Sequence, residues 1–185
     1  MNKILAFLGL FWAAQSMAEI KIPFVWQSFS PDINVTYDKA AILLRTSEPD
    51  KYLQLDTGSS QSYTYGTEQP AKIHFIDGNG QQLSLQFQPK KDKEQGITIG
   101  TLGSDYFAGK CLELDFSAEK LLISDCGKLY KNKDIKWLDS YLHKSGRPMV
   151  EARVGNTVFR DVLFDTGASI FPLVLTKENW LKVVS

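Results

Sequence analysis

The chain has 185 residues, room for one domain or two small lobes, and its 43 % hydrophobic content can bury a sizeable core. Its 21 Lys+Arg balance 21 Asp+Glu. That neutrality excludes the basic excess that nucleic acid or an anionic membrane surface demands of a main partner.

The first residues read as an export signal, residues 1–18. Lys3 gives a positive start, Ile4 to Ala14 is apolar, and Ser16-Met17-Ala18 offers small residues for cleavage after Ala18. The apolar run is too short to span a bilayer. The mature chain is therefore expected to be exported, periplasmic or secreted, with no membrane association after cleavage.

Beyond Ala18 the chain is strand-rich. Ile33 to Tyr37, Ala40 to Leu44 and Tyr52 to Leu55 are short apolar runs separated by polar turns. Ile73 to Ile76 and Leu83 to Phe87 flank Asp77-Gly78-Asn79-Gly80, the strongest hairpin signal in the chain. Pro89 to Gly96 is a charged loop. Gly96 to Gly103 reads as an apolar strand with glycines where another backbone comes close. Leu112 to Phe116 and Leu121 to Asp125 form a strand pair around Ser117-Ala118-Glu119-Lys120, a register that sets Cys111 opposite Cys126. Opposed positions on antiparallel strands suit a disulfide, and export permits one.

Gly127 to Lys133 reads as a linker, and Asp134 as the cap of a short helix carrying Ile135, Leu138, Tyr141 and Leu142. Val150 to Val154 and Val158 to Phe164 are strands around the turn Gly155-Asn156. Thr176 caps a helix over Lys177 to Val184 with Trp180, Leu181 and Val184 on one side. Trp26, Trp137 and Trp180 are expected in core or lobe packing. His74 and His143 are too few and too far apart for a metal site, and no metal or cofactor is expected.

The most telling feature is a repeat. Leu53-Gln54-Leu55-Asp56-Thr57-Gly58-Ser59-Ser60 and Val162-Leu163-Phe164-Asp165-Thr166-Gly167-Ala168-Ser169 each end an apolar strand in Asp-Thr-Gly. Asp supplies a carboxyl that can act as acid or base. Thr can bond backbone across a pseudo-twofold axis. Gly permits a tight turn and close approach of the other copy. Two neighbouring carboxyls cannot both ionise cheaply, so one keeps its proton while the other serves as base toward a water.

These residues resemble the pepsin/retropepsin superfamily of aspartic proteases. Asp56-Thr57-Gly58-Ser59 is similar to the pepsin-like form, and Asp165-Thr166-Gly167-Ala168-Ser169 to the retroviral form. Thr101-Leu102-Gly103-Ser104-Asp105-Tyr106-Phe107 is similar to the family's hydrophobic-Gly segment. The resemblance implies an all-β, bilobal pepsin-like fold. Residues 19–127 would be a complete N-terminal lobe. Residues 128–185 would be a linker and a truncated C-terminal lobe. Asp56 and Asp165 would be the catalytic dyad, Thr57 and Thr166 a cross-lobe grip, and Gly58 and Gly167 the shapers of the loops. Ser59 would bond the outer oxygen of Asp56, which Ala168 cannot do for Asp165.

Two departures from the family stand out. No Tyr lies between Gly66 and Asp105, so the Ile73 to Phe87 hairpin would be a short flap without one. Only 20 residues follow Asp165 and hold no second hydrophobic-Gly segment, so the chain reads as a fragment or a truncated product. The expected function is an aspartic endopeptidase acting on polypeptide through a water held by the dyad. Its competitors are a catalytically inert peptide- or protein-binding relative and a homodimer through the N-terminal lobe.

Overall fold

The structure is a computed structural model that describes residues 19–66, 71–76, 82–90, 96–124, 140–170 and 173–184. It is mostly β-sheet, and one sheet curls into a half-barrel. The strands are β1 (Ile20–Asp32), β2 (Val35–Arg45), β3 (Tyr52–Leu55), β4 (Tyr63–Tyr65), β5 (Ala71–Ile76), β6 (Gln82–Lys90), β7 (Thr98–Leu102), β8 (Cys111–Asp115), β9 (Lys120–Ser124), β10 (Ser140–Leu142), β11 (Pro148–Val154) and β12 (Thr157–Leu163). A helix, α1 (Lys177–Val184), closes the described chain. The export signal, the hairpin tip Asp77 to Gly80, the linker from Gly127, Ile135, Trp137, Leu138 and Cys126 lie outside the described residues.

Nine strands form one sheet in the order β5-β6-β4-β7-β3-β2-β1-β9-β8, and three form a second, β10-β11-β12. The larger sheet owes its core to period-two patterning. Ile22 and Phe24, Ile42 and Leu44, Leu53 and Leu55, Ile73 and Phe75, and Leu121 and Ile123 are buried pairs two residues apart, joined by Phe87 and Leu102. Successive side chains of a strand point to opposite faces, so each pair lands on the concave face together.

The unit that matters for the site is β3-β7-β4. β7 inserts between the other two, parallel to β3 and antiparallel to β4. It fits because Gly100 has no side chain: a Cβ there would lie 2.3 Å from the Tyr63 carbonyl oxygen. At Gly103 it would lie 2.5 Å from the Gln61 carbonyl oxygen. The predicted reason for glycine in this strand, close approach of another backbone, is what the structure contains.

Several sequence expectations are corrected. Ile33 is not in a strand but at the turn between β1 and β2, 98 % exposed. The separate runs Ile33 to Tyr37 and Ala40 to Leu44 are one strand, β2, carried past an irregularity by Lys39 at φ 59°. Tyr141 and Leu142 belong to β10, not to a helix, because they pair with Met149 and Pro148 of β11. α1 forms as predicted, with the Asn179 amide donating to Thr176 Oγ1, but Trp180 is 55 % exposed rather than packed.

The β8–β9 register also differs. Asp115 Oδ1 accepts from the amides of Ser117 and Ala118, starting the turn one residue earlier than expected. Phe116 thereby leaves the strand and stacks on Trp26, ring centroids 5.7 Å apart. Ser124, not Cys126, then lies opposite Cys111. The Cys111–Cys126 bond remains an expectation from composition and compartment.

Candidate active site

Asp56 follows β3 and Asp165 follows β12, so each strand delivers its carboxyl to the point where the two sheets meet. The first loop is anchored by β7. The Asp56 amide donates to the Leu102 carbonyl at 3.0 Å and the Ser104 amide to the Ser59 carbonyl at 2.8 Å. Beyond them, Gly103 donates to Ser62 Oγ at 2.9 Å, and Ser62 Oγ donates to Asp105 Oδ1 at 2.6 Å. The segment Thr101 to Phe107 thus braces the loop through backbone contacts and through the Ser62 and Asp105 side chains.

The two loops are joined by four reciprocal hydrogen bonds through their threonines, both buried. The Thr57 amide donates to Thr166 Oγ1 at 3.1 Å, and the Thr166 amide to Thr57 Oγ1 at 3.1 Å. Thr57 Oγ1 donates to the Phe164 carbonyl at 2.6 Å, and Thr166 Oγ1 to the Leu55 carbonyl at 2.9 Å. Each hydroxyl donates once and accepts once, so both hydroxyls and both threonine amides are satisfied within the ring. The pattern maps onto itself when the two halves are exchanged.

The glycines close the approach. A Cβ on Gly58 would lie 2.5 Å from the Asp165 carboxyl carbon, and one on Gly167 would lie 2.5 Å from that of Asp56. Each carboxyl therefore sits against the glycine of the opposite loop, and the two are within hydrogen-bonding reach of each other. Burial raises the Asp56 pKa above the ordinary carboxylate value, and the charge of Asp165 raises it further. Hydrogen bonds from the Ser59 and Gly58 amides partly offset this.

One predicted role is corrected. The Ser59 hydroxyl donates to the Gln61 carbonyl at 2.8 Å, not to Asp56. It is the Ser59 amide that donates to Asp56 Oδ1, at 2.9 Å. Asp165 Oδ1 accepts from the Gly167 amide at 2.8 Å, the position equivalent to Gly58 rather than to Ser59. Because the Ser59 hydroxyl does not reach Asp56, the methyl of Ala168 costs Asp165 no hydroxyl bond that Asp56 has.

Sequence reasoning overlooked Gln54, whose Nε2 donates to the Gly167 carbonyl at 3.4 Å and ties β3 to the second loop. A polar residue inside an otherwise apolar strand was the available signal. It also overlooked Ser62 and Asp105 as loop braces, which no local pattern marks. The hairpin β5–β6 forms with Ile76 opposite Gln82. Within it His74 Nδ1 pairs with Ser84 Oγ at 2.7 Å. No family model, curated protein or solved structure matches the chain.

Proposed function

We infer that the chain carries the aspartic dyad of an exported endopeptidase, on an all-β, bilobal pepsin-like fold. The observation that carries the reading is the reciprocal threonine ring, which holds two carboxyls within hydrogen-bonding reach of each other. An arrangement with that symmetry suits a water bound equally by both. One carboxylate takes a proton from the water as its oxygen attacks the amide carbon. The other carboxyl gives its proton to the carbonyl oxygen. The tetrahedral intermediate collapses when a proton reaches the amide nitrogen and the C–N bond breaks. No covalent intermediate with the protein forms.

The raised pKa of Asp56 supports this reading, since it favours a dyad that keeps one proton in mildly acidic solution. The threonine ring weighs against self-pairing through the first lobe, because Thr57 is already engaged by Thr166 and Phe164 of its own chain. A second reading, peptide binding without turnover, is favoured by one observation: among the described strands β12 is a sheet edge, whereas β3 is flanked on both sides.

The test is cleavage of an unfolded protein substrate at acidic pH. Asp56→Asn and Asp165→Asn should each lower the rate by about a hundred- to ten-thousand-fold, the usual scale for losing an acid–base group. Unchanged turnover in either variant excludes the dyad. Peptide binding without any turnover by the parent chain selects the second reading.

A further inference from the structure

The hairpin of β1 and β2 runs on past the core. Ala40 to Leu44 are buried, whereas Ser28 to Asn34 are all exposed, and Ile33 and Asn34 form the turn at the tip. Asn34 opens Asn34-Val35-Thr36, with a residue other than proline in the middle. None of the chain's other asparagines has Ser or Thr two places on. Asn-X-Ser/Thr is the acceptor pattern for N-linked glycan, and it belongs on surface segments of exported chains.

An asparagine in a turn ordinarily has one of two structural jobs. It tolerates a left-handed φ, or its side chain bonds backbone two residues on. Asn34 does neither. The positive φ angles of non-glycine residues fall at Lys39, Asp50, Glu119 and Asp161. The turn bond comes from Asp32, whose Oδ1 accepts from the Asn34 amide at 2.7 Å. Among the described residues, the Asn34 carboxamide has no hydrogen-bond partner. The turn is therefore built without it, and the group stands in solvent at the end of an arm.

We propose that Asn34 is the acceptor for an N-linked oligosaccharide, delivered from a polyprenyl diphosphate by an oligosaccharyltransferase. The Asn34 carboxamide nitrogen forms a bond to C1 of the first sugar as the C1–O bond to the diphosphate breaks. The bonding pair leaves with the polyprenyl diphosphate, and the amide proton passes to a carboxylate of the transferase. Thr36 supplies the hydroxyl that the transferase recognises. Here that hydroxyl shares an exposed hydrogen bond with Ser30 Oγ at 2.9 Å, which water replaces at little cost. One class of transferase also requires a carboxylate two residues before the asparagine, where Asp32 stands. A glycan on Asn34 would flank Ile33 and the half-exposed Phe29, shielding apolar side chains that the fold leaves in water. The proposal rests on export, since transfer takes place outside the cytoplasm, and not on the dyad.

The test is to produce the full chain in cells that carry a transferase of that class and a polyprenyl-diphosphate-linked oligosaccharide of known mass. Intact mass and peptide fragmentation are then read on the exported protein. The expected result is a gain of one oligosaccharide, located on Asn34. Asn34→Gln and Thr36→Val should lose the added mass, and Thr36→Ser should keep it. Asn34→Gln lies at an exposed position and should melt with the parent, which separates loss of the acceptor from loss of the fold. An exported parent without added mass overturns the proposal, as does added mass that persists in Asn34→Gln. A chain that stays in the cytoplasm overturns it too, by removing its premise. Turnover in the dyad variants has no bearing on these masses, so the peptidase reading and this one fail separately.

Discussion

Thr57 and Thr166 join the two loops that carry the aspartates. Valine at position 57 keeps the shape but removes an acceptor from the Thr166 amide and a donor from the Phe164 carbonyl. The Thr166 amide is left unpaired in a buried site, while the Phe164 carbonyl is only part-buried, so Thr57→Val should destabilise the chain by about 1–3 kcal/mol, the cost of one unsatisfied buried group. Thr57→Ser keeps the hydroxyl and should recover most of that loss in chemical denaturation. Equal stability of the valine and serine variants would remove the ring from the account. The aspartates, threonines and glycines were legible because the tripeptide occurs twice. What the threonines bond to was not, since Phe164 and Leu55 contribute carbonyls that any residue could supply.

Strand β7 shows how an element can be visible while its place is not. Its apolar run with interspersed glycines was plain in the sequence, but its insertion between β3 and β4 depends on pairings far apart in the chain. Gly100→Ala puts a methyl 2.3 Å from the Tyr63 carbonyl oxygen and 2.9 Å from Thr64 Cα, both backbone atoms. The expected outcome is a loss of about 1–3 kcal/mol, as for other overpacked sites, and a weaker brace on Asp56. A melting temperature equal to that of the parent would show that β7 lies elsewhere. β1 went unread because Pro23 and Pro31 interrupt its pattern. Pro23 is accommodated at the position just before the β2 register begins at Phe24 opposite Leu44. β4 has only three residues, too few to signal itself.

For the whole molecule, the paired carboxyls tie the proposed chemistry to stability. Burial first, and the Asp165 charge second, raise the Asp56 pKa above its ordinary 3.8. A carboxyl whose folded pKa exceeds its unfolded one stabilises the fold fully below the unfolded value. That contribution is lost as pH rises through the folded value. Asp56→Asn cannot ionise, so the variant should melt above the parent near neutral pH, with the gap closing as pH falls toward about 3.8. A variant less stable than the parent at neutral pH would contradict the coupling. Turnover should decline over the same rising limb, as the pair loses its single proton.

By itself, the sequence determined the strand-rich class, the hairpin β5–β6, the C-terminal helix and the two aspartates with their tripeptides. All of these rest on local patterning or on a short repeat. The tertiary structure alone decided that the two loops interlock, that Ser59 serves through its amide, that Ser124 faces Cys111, and that β12 is the edge of its sheet among the described strands. Each of these depends on which strand lies beside which and in what register. That is fixed by burial and backbone pairing between residues distant in the chain, where a slip of a residue or two leaves the local pattern almost unchanged.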